Sequence, residues 1–214
     1  RARPQEDELV ITTLQSFARH RLIARLPGFQ RAHPHYRIRL QTGLELSELQ
    51  QGMADIAIRM GQGPWPGLAQ QPLLEDESLV VAAPHFAGGK LPRTPREVIR
   101  CPLIDETDGT WSDWCQAAGV PEPAHAARIT ANDSNVSVGC AELGHGLLLA
   151  RRSIVAGLLA EGRLVQVTKV TIPYPYPYWL VWPQRDTLPE KVRHFTEWIS
   201  GEMARFTQEA ATER

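Results

Sequence analysis

Cysteine is scarce in this chain. There are three in 214 residues, Cys101, Cys115 and Cys140, and no two lie close in sequence. An odd count without a close pair supplies neither a disulfide framework nor a zinc site. Reduced, mostly buried thiols in a cytoplasmic protein are therefore expected. Arg100 is the one basic residue flanking any of the three, which leaves little to activate a redox sensor. An excess of charge is missing too: 23 Lys+Arg stand against 24 Asp+Glu, a formal net charge of −1. A free-standing nucleic-acid binder needs a basic excess on one face. Long apolar runs are absent. Gly146-Leu147-Leu148-Leu149-Ala150 falls far short of the ~20 residues that span a bilayer, so no membrane partner is expected. The opening stretch, Arg1 to Glu8, has no apolar centre and is expected to be a linker remnant, not a signal peptide. No internal period of a solenoid is visible.

What is present is an ordinary core-forming composition. Apolar residues make up 43%, and glycine brings the total to about half, enough for one domain or two of roughly 100 residues. Short β-branched runs alternate with amphipathic stretches. Leu9 to Leu14 reads as a buried strand. Leu22, Leu26 and Phe29 share one face of a following helix, which Pro27 and Gly28 should kink or end early. Strands follow at Tyr36–Leu40, Ala54–Arg59 and Ser78–Ala83, with a turn at Gly61–Gly67. Ser47 to Gln50 has the spacing of a capping box that opens a short helix. Further on, strands at 103–104, 127–130, 146–149, 164–167 and 178–182 alternate with helices at 93–98, 110–118, 134–143 and 153–159. A second capping box, Thr187 to Glu190, opens a last helix with Val192, Phe195, Ile199 and Met203 on one face. This alternation predicts an α/β fold with largely parallel sheets. The last helix has no strand after it, so it must pack on a sheet already built. That predicts a discontinuous first lobe, an inserted second lobe and two crossings.

Catalytic signatures are missing. There is no Gly-x-Ser-x-Gly elbow and no phosphate loop. Gly61-Gln62-Gly63 opens like a dinucleotide loop, but the next glycine, Gly67, comes one position late and two prolines intervene. His33 and His35 flank Pro34 without a third ligand nearby, which predicts a solvated turn and no metal. The run Pro173 to Tyr178 reads as an extended connector more readily than as an aromatic ligand platform. No cofactor is expected.

Polar residues do collect where strands hand over to helices, the place where open α/β sheets bind ligands. Ser16 follows the first strand. Its hydroxyl and the first-turn N–H groups either hold a carboxylate or phosphate, or form a plain helix cap. Thr42 ends the second strand region. Arg59 ends the third, where it can fork onto a ligand carboxylate or pair with Asp55 or Asp76. Asn132, Asp133 and Ser134 form the matching junction later in the chain. They too are good cap residues, and Asp133 suits an ammonium group.

The order of these motifs resembles the effector-binding domain of LysR-type transcription regulators, most closely the glycine-cleavage-activator-like branch that includes the β-lactamase regulators. Ser16-Phe17-Ala18 with Leu22 and Arg25-Leu26 fits the opening of that branch. His33-Pro34 before the strand Ile38–Leu40 fits the next step. Asp55-Ile56-Ala57-Ile58-Arg59-Met60-Gly61 through Trp65, Gly67 and Leu68 fits its most specific signature. Asp133-Ser134, Gly144-His145-Gly146 and Gly162-Arg163-Leu164-Val165 follow in order. The branch usually carries proline where Ala24 stands; this chain has Pro27 instead.

The resemblance covers about residues 9 to 203. It implies two Rossmann-like lobes joined by two crossover strands, in the manner of type 2 periplasmic binding proteins. The boundaries it implies are 1–8 as linker, 9–83 plus 184–206 as lobe one, 84–183 as lobe two, and 207–214 as a disordered tail. It implies an inducer in the cleft between the lobes, and the polar residues at the strand–helix junctions lead us to expect a small metabolite carrying a carboxylate. The ligand-binding set is then Ser16, Phe17, Thr42, Arg59, Asn132, Asp133 and Ser134. It further implies homodimers, tetramers in the full regulator, and DNA contact only through an N-terminal winged helix-turn-helix that this chain is expected to lack. Two other classes remain. A periplasmic solute-binding protein has related lobes, but no signal peptide or N-terminal lipid-anchoring cysteine supports it. An enzyme needs converging acid, base or nucleophile, and none is evident.

Overall fold

The structure is a computed structural model that describes residues 7–43, 49, 51–107 and 109–212. The chain divides into two compact units: Arg1–Glu75 with Pro175–Arg214, and Asp76–Tyr174. The discontinuity is the expected kind, but each crossing falls about one strand earlier than the expected 83/84 and 183/184. The strand of residues 77–82 pairs inside the second sheet, and that of residues 178–183 inside the first.

The first unit is built from β1 (Glu8–Thr13), β2 (Arg37–Thr42), β3 (Ile56–Met60), β4 (Leu68–Leu74) and the tenth strand of the chain, β10 (Tyr178–Pro183). Their order is β2-β1-β3-β10-β4. β1 runs parallel to β2 and β3, with Thr13 opposite both Thr42 and Ile58. β10 runs against β3 and β4. Leu9, Val10 and Ile11 are buried, as a strand covered on both faces requires. β4 is the strand that sequence reasoning missed. Gln70, Gln71 and Pro72 hide its pattern, and a proline is tolerated because β4 is an edge.

The first helix does not simply kink. A short helical segment, α1, covers Gln15–Phe17 and continues as a π-helical stretch, Ala18–Leu22. A new helix, α2, spans Leu26–Ala32 with Pro27 in its first turn, where a missing N–H costs nothing. Pro27 therefore starts a helix here and ends none. The segment expected at Ser47–Gln50 lies outside the described residues apart from Leu49, which is helical and buried.

The second unit holds β5 (Glu77–Ala82), β6 (Leu103–Glu106), β7 (Ile129–Ala131), β8 (Leu147–Arg151) and β9 (Val165–Pro173). Its helices are α3 (Pro95–Val98), α4 (Trp111–Ala118), α5 (Ser134–Glu142) and α6 (Arg152–Ala160). The strand order is β7-β6-β8-β5-β9. β6 is parallel to β7 and β8, and β5 is antiparallel to β8 and β9. Alternate residues of β5 feed two separate clusters. Leu79 and Val81 pack with Val138, Ile154 and Leu158, while Val80 and Ala82 pack with Trp111, Trp114 and Cys115. The sheet is thus covered on both faces, as its period-two side-chain geometry demands.

Both sheets repeat one arrangement: second strand, first, third, reversed strand, last. In each, one strand runs against the other four. The reversed strand is the first that the chain forms after a crossing.

The last helix, α7, spans Glu190–Thr212. A box capped by Thr187 would open it two residues earlier; instead the N–H groups of Val192 and Arg193 donate to Pro189 O. It buries Val192, Phe195, Ile199 and Met203 as expected, and also Phe206 and Ala210. Arg21 lies over the Phe206 ring, 3.9 Å from its centroid. Residues 207–212 are therefore helical, with Ala210 buried, not the expected disordered tail, and 213–214 lie outside the described residues. Among the described residues no helix is long and apolar enough to cross a membrane.

Candidate functional site

In each sheet the central parallel pair, β1 with β3 and β6 with β8, forms the point from which neighbouring strands diverge. Ligands of open α/β sheets bind beyond the carboxyl ends of such strands. Each unit carries polar side chains there.

In the first unit Arg59 is almost entirely buried on β3. Its Nη1 donates to Gly43 O at 3.0 Å and to Ile58 O at 3.4 Å, and its Nη2 to Thr12 Oγ1 at 3.0 Å. The guanidinium thus clips the ends of β1, β2 and β3 together. Asp55, one expected partner, sits at the other end of β3 and accepts from Val10 N–H and Lys191. Ser16 is buried inside the first turn of α1 and is not its cap, since Leu14 holds that position without a side-chain bond. The first N–H groups of a helix have no intrahelical partner, so Ser16 stays beside an anion-tolerant end. Thr42 ends β2 and is exposed. Phe17 is 0% exposed, its ring 4.9 Å from that of Tyr178. It belongs to the core and offers no face to a ligand. Thr13, unnoticed in the sequence, is fully buried with a hydroxyl that has no hydrogen-bond partner among the described residues.

In the second unit Asp133 caps α5, its Oδ1 accepting the Asn135 N–H at 2.8 Å. Ser134 and Ser137 donate to the two oxygens of Glu106, at 3.2 and 2.5 Å. Arg151, at the end of β8, donates through Nη2 to Ser134 Oγ at 2.6 Å and lies over the Tyr174 ring. Asn132 is exposed and stands outside this network. A void of about 10 Å³, room for one water, is lined by Ser78, Asp105, Glu106, Arg151 and Tyr174 among others. Asp76, the first residue of the unit, is buried. Burial pushes its carboxyl pKa up, against the opposing pull of Ser153 hydrogen bonds and the Arg151 charge.

Sequence reasoning missed Glu106, Ser137 and Arg151. A usable signal existed for the last. Arg59 and Arg151 close the corresponding third strands of the two sheets, and both donate to a hydroxyl. Glu106 and Ser137 carried none, because their roles depend on where α5 lands on β6.

The other expectations resolve simply. Pro34 and His35 form an exposed turn, as expected, while His33 is partly buried beside it. His33 stacks on His194 (4.4 Å) and Tyr36 (5.8 Å), and the Tyr36 hydroxyl lies 3.1 Å from His194 Nδ1. Among the described residues no group of three or more His, Cys, Asp or Glu is placed to hold a metal ion. Cys115 is buried and Cys101 and Cys140 partly so; burial pushes the thiol pKa of Cys101 and Cys115 up, which disfavours thiolate. β9 extends to Pro173, 174–177 form a short link, and Tyr178 opens β10 within the core. A groove of about 770 Å³ in the first unit is lined by Tyr36, Asp55, Arg185 and Lys191 among others, and by none of the residues proposed from sequence.

A family model described as the LysR substrate binding domain matches residues 2–204. The chain is 32% identical over 193 residues to the HTH-type transcriptional activator AmpR of Rhodobacter capsulatus, covering 88% of this chain and 64% of that protein. It is 26% identical over 205 residues to the glycine cleavage system transcriptional activator of Escherichia coli strain K12, covering 95% and 67%. Among solved structures, the effector domain of the transcriptional regulator AmpR of Pseudomonas aeruginosa superposes with a TM-score of 0.82 at 26% identity, over 96% of this chain and 100% of that one. The chain thus spans about two thirds of the length of these curated relatives.

Proposed function

The chain belongs to the LysR substrate-binding-domain family, and from that premise we propose that it senses a small effector for a LysR-type DNA-binding transcription regulator. The observation that carries this reading is the pair of polar networks at corresponding strand ends, Arg59 with Thr12 and Arg151 with Ser134 and Glu106. Catalysis needs a converging nucleophile, base or acid. These groups are instead committed to one another, which suits binding.

The effector we propose is a metabolite with a carboxylate. The candidate contacts in the first unit are Ser16, Thr42 and Arg59; those in the second unit, taken by itself, are Asn132, Asp133 and Ser134. Phe17 acts only by supporting Ser16 from the core. DNA contact belongs to a part of the regulator outside these residues, and dimers or tetramers of a cytoplasmic protein carry the signal to it. An effector shifts such an assembly only by binding one arrangement more tightly than another.

A thermal-shift screen against amino acids, organic acids and peptidoglycan fragments tests the reading. A ligand at about 100 times its dissociation constant should stabilise by about 2.7 kcal/mol. Ser16→Ala should weaken the best hit by at least about tenfold, and Arg59→Lys should weaken it as well. A screen without a hit, or a hit indifferent to both variants, removes the reading or its site.

A further inference from the structure

We propose that the second unit carries a small anion site at the amino-terminal ends of β6 and β7, and that its ligand is a phosphorylated small molecule. Leu103 opens β6 at this end, whereas Glu106 and its serine partners stand at the other. The proposal goes beyond effector sensing and stands whether or not that reading holds.

A cavity of about 380 Å³ opens here, a size suited to a small molecule. Two stretches of chain line it: 99–103, between α3 and β6, and 125–128, just before β7. The Arg128 N–H donates to Leu103 O at 3.1 Å and ties the two stretches together. Arg100 comes from the first, and His125 and Arg128 from the second. Among the described residues no carboxylate lines the cavity.

Cationic side chains gathered in one hollow repel one another unless acids compensate them. The acids that flank these stretches in sequence are committed elsewhere. Glu97 closes a capping box on α3, where its Oε2 accepts the Arg93 N–H at 2.7 Å and the Thr94 N–H at 3.4 Å. Glu122 Oε1 accepts the Ser112 hydroxyl at 2.6 Å, and Asp133 caps α5. The side chains of Arg100, His125 and Arg128 therefore have no hydrogen bond or ion pair with any described residue. Nor is Arg100 needed to finish α3. The carbonyls of Glu97 and Val98 already accept the N–H groups of Arg100 and Cys101, and the Cys101 thiol donates to Glu97 O at 3.4 Å. Burial and then Glu97 push that thiol pKa up, so Cys101 stays neutral and adds no negative charge.

The donors define the ligand class. A guanidinium keeps its charge and presents a fork of N–H groups that matches the oxygens of a phosphate or carboxylate. Imidazole adds at least one N–H whatever its charge. Two forks call for a doubly charged partner. A phosphate monoester carries about two negative charges near neutral pH, and a simple carboxylate only one. Ile99 and Leu103 supply apolar wall for an organic part. A DNA backbone needs basic groups spread along a face, whereas these converge in a hollow.

The test follows amide NMR shifts of the protein at fixed ionic strength, with pyrophosphate, glycerol phosphate and acetate as probes. Both phosphates should give saturable shifts centred on 99–103 and 125–128, and acetate should bind at least about tenfold more weakly. Arg100→Gln combined with Arg128→Gln should weaken glycerol phosphate by at least about tenfold. Both residues are exposed, so the melting temperature without ligand should stay within about 2 °C of the parent. Shifts that do not saturate, shifts centred elsewhere, acetate binding as well as the phosphates, or affinity untouched by the double variant overturns the proposal. A short DNA duplex that moves these amides more strongly than glycerol phosphate at equal phosphate concentration also overturns it, and assigns the patch to nucleic acid.

Discussion

Lys191 Nζ lies 2.9 Å from Asp55 Oδ2, joining the first turn of the last helix to the start of β3. The same carboxylate oxygen accepts the Val10 N–H at 2.8 Å, and the ammonium also donates to Glu8 O at 2.6 Å. Both side chains are largely buried, at 13% and 9% exposed. Removing one member of a buried pair strands the other. Asp55→Ala should therefore destabilise the protein by about 3–5 kcal/mol, read by urea unfolding. Lys191→Met keeps the apolar stem and leaves Asp55 its backbone partner, so it should cost less. Equal costs would show that the charge on Asp55, and not its bond to Val10, carries the effect.

Thr12→Val tests the clip at the other end of that sheet. Valine has the shape of threonine without the oxygen that receives Arg59 Nη2. The loss should be about 1–3 kcal/mol, the cost of a buried donor deprived of its acceptor. A variant as stable as the parent would show that the Thr12 hydroxyl is not needed for the restraint on Arg59.

Glycine should be required at one site and replaceable at another. A Cβ on Gly109 would stand 2.0 Å from Asp105 Oδ1 and 2.8 Å from Glu106 O, so Gly109→Ala must displace the loop that shapes the void beside Arg151. A cost of about 1–3 kcal/mol is expected. Gly201, inside α7, has nothing within 4 Å of its Cβ position. Gly201→Ala should raise stability by about 0.5–1 kcal/mol through helix propensity. Thermal unfolding of the two variants gives opposite signs if the reading is correct.

The histidine stack makes stability fall on the acid side. The His33 pKa is lowered from its ordinary 6.5, first by burial and then by His194 and His35, with Glu190 and Glu197 opposing. The unfolded chain therefore takes up this proton at higher pH than the folded one, and stability drops as pH falls through about 6.5 and on through the folded value. His33→Phe keeps a ring in the stack without the charge. Its melting temperature should decline less than that of the parent between about pH 7.5 and about pH 5. An NMR titration placing His33 above its unfolded pKa would contradict the sign.

Much of the architecture was legible because it depends on local pattern. Leu9-Val10-Ile11 and Leu147-Leu148-Leu149 are apolar on every residue, and a strand buried on both faces reads that way. The lone helix after the last strand predicted an interrupted first unit. β4 was not legible, because its glutamines and proline are tolerated only by its place at a sheet edge. The exact crossings were not legible either. Glu77–Ala82 and Tyr178–Pro183 look like any buried strand, and only their pairing partners show which sheet each joins.

The candidate site divides along the same line. Residue type and position along the chain placed Ser16, Arg59, Asp133 and Ser134 at strand–helix junctions, since that follows from the order of apolar runs and cap-forming residues. The direction of each hydrogen bond did not follow. Arg59 turned inward to Thr12 and Gly43, Phe17 into the core, and Ser134 spent its proton on Glu106, 28 residues away. Such bonds join residues far apart in sequence. Only the packing of β6, α5 and β8 against one another brings Glu106, Ser134 and Arg151 within reach, and with it decides which groups are left to face a ligand.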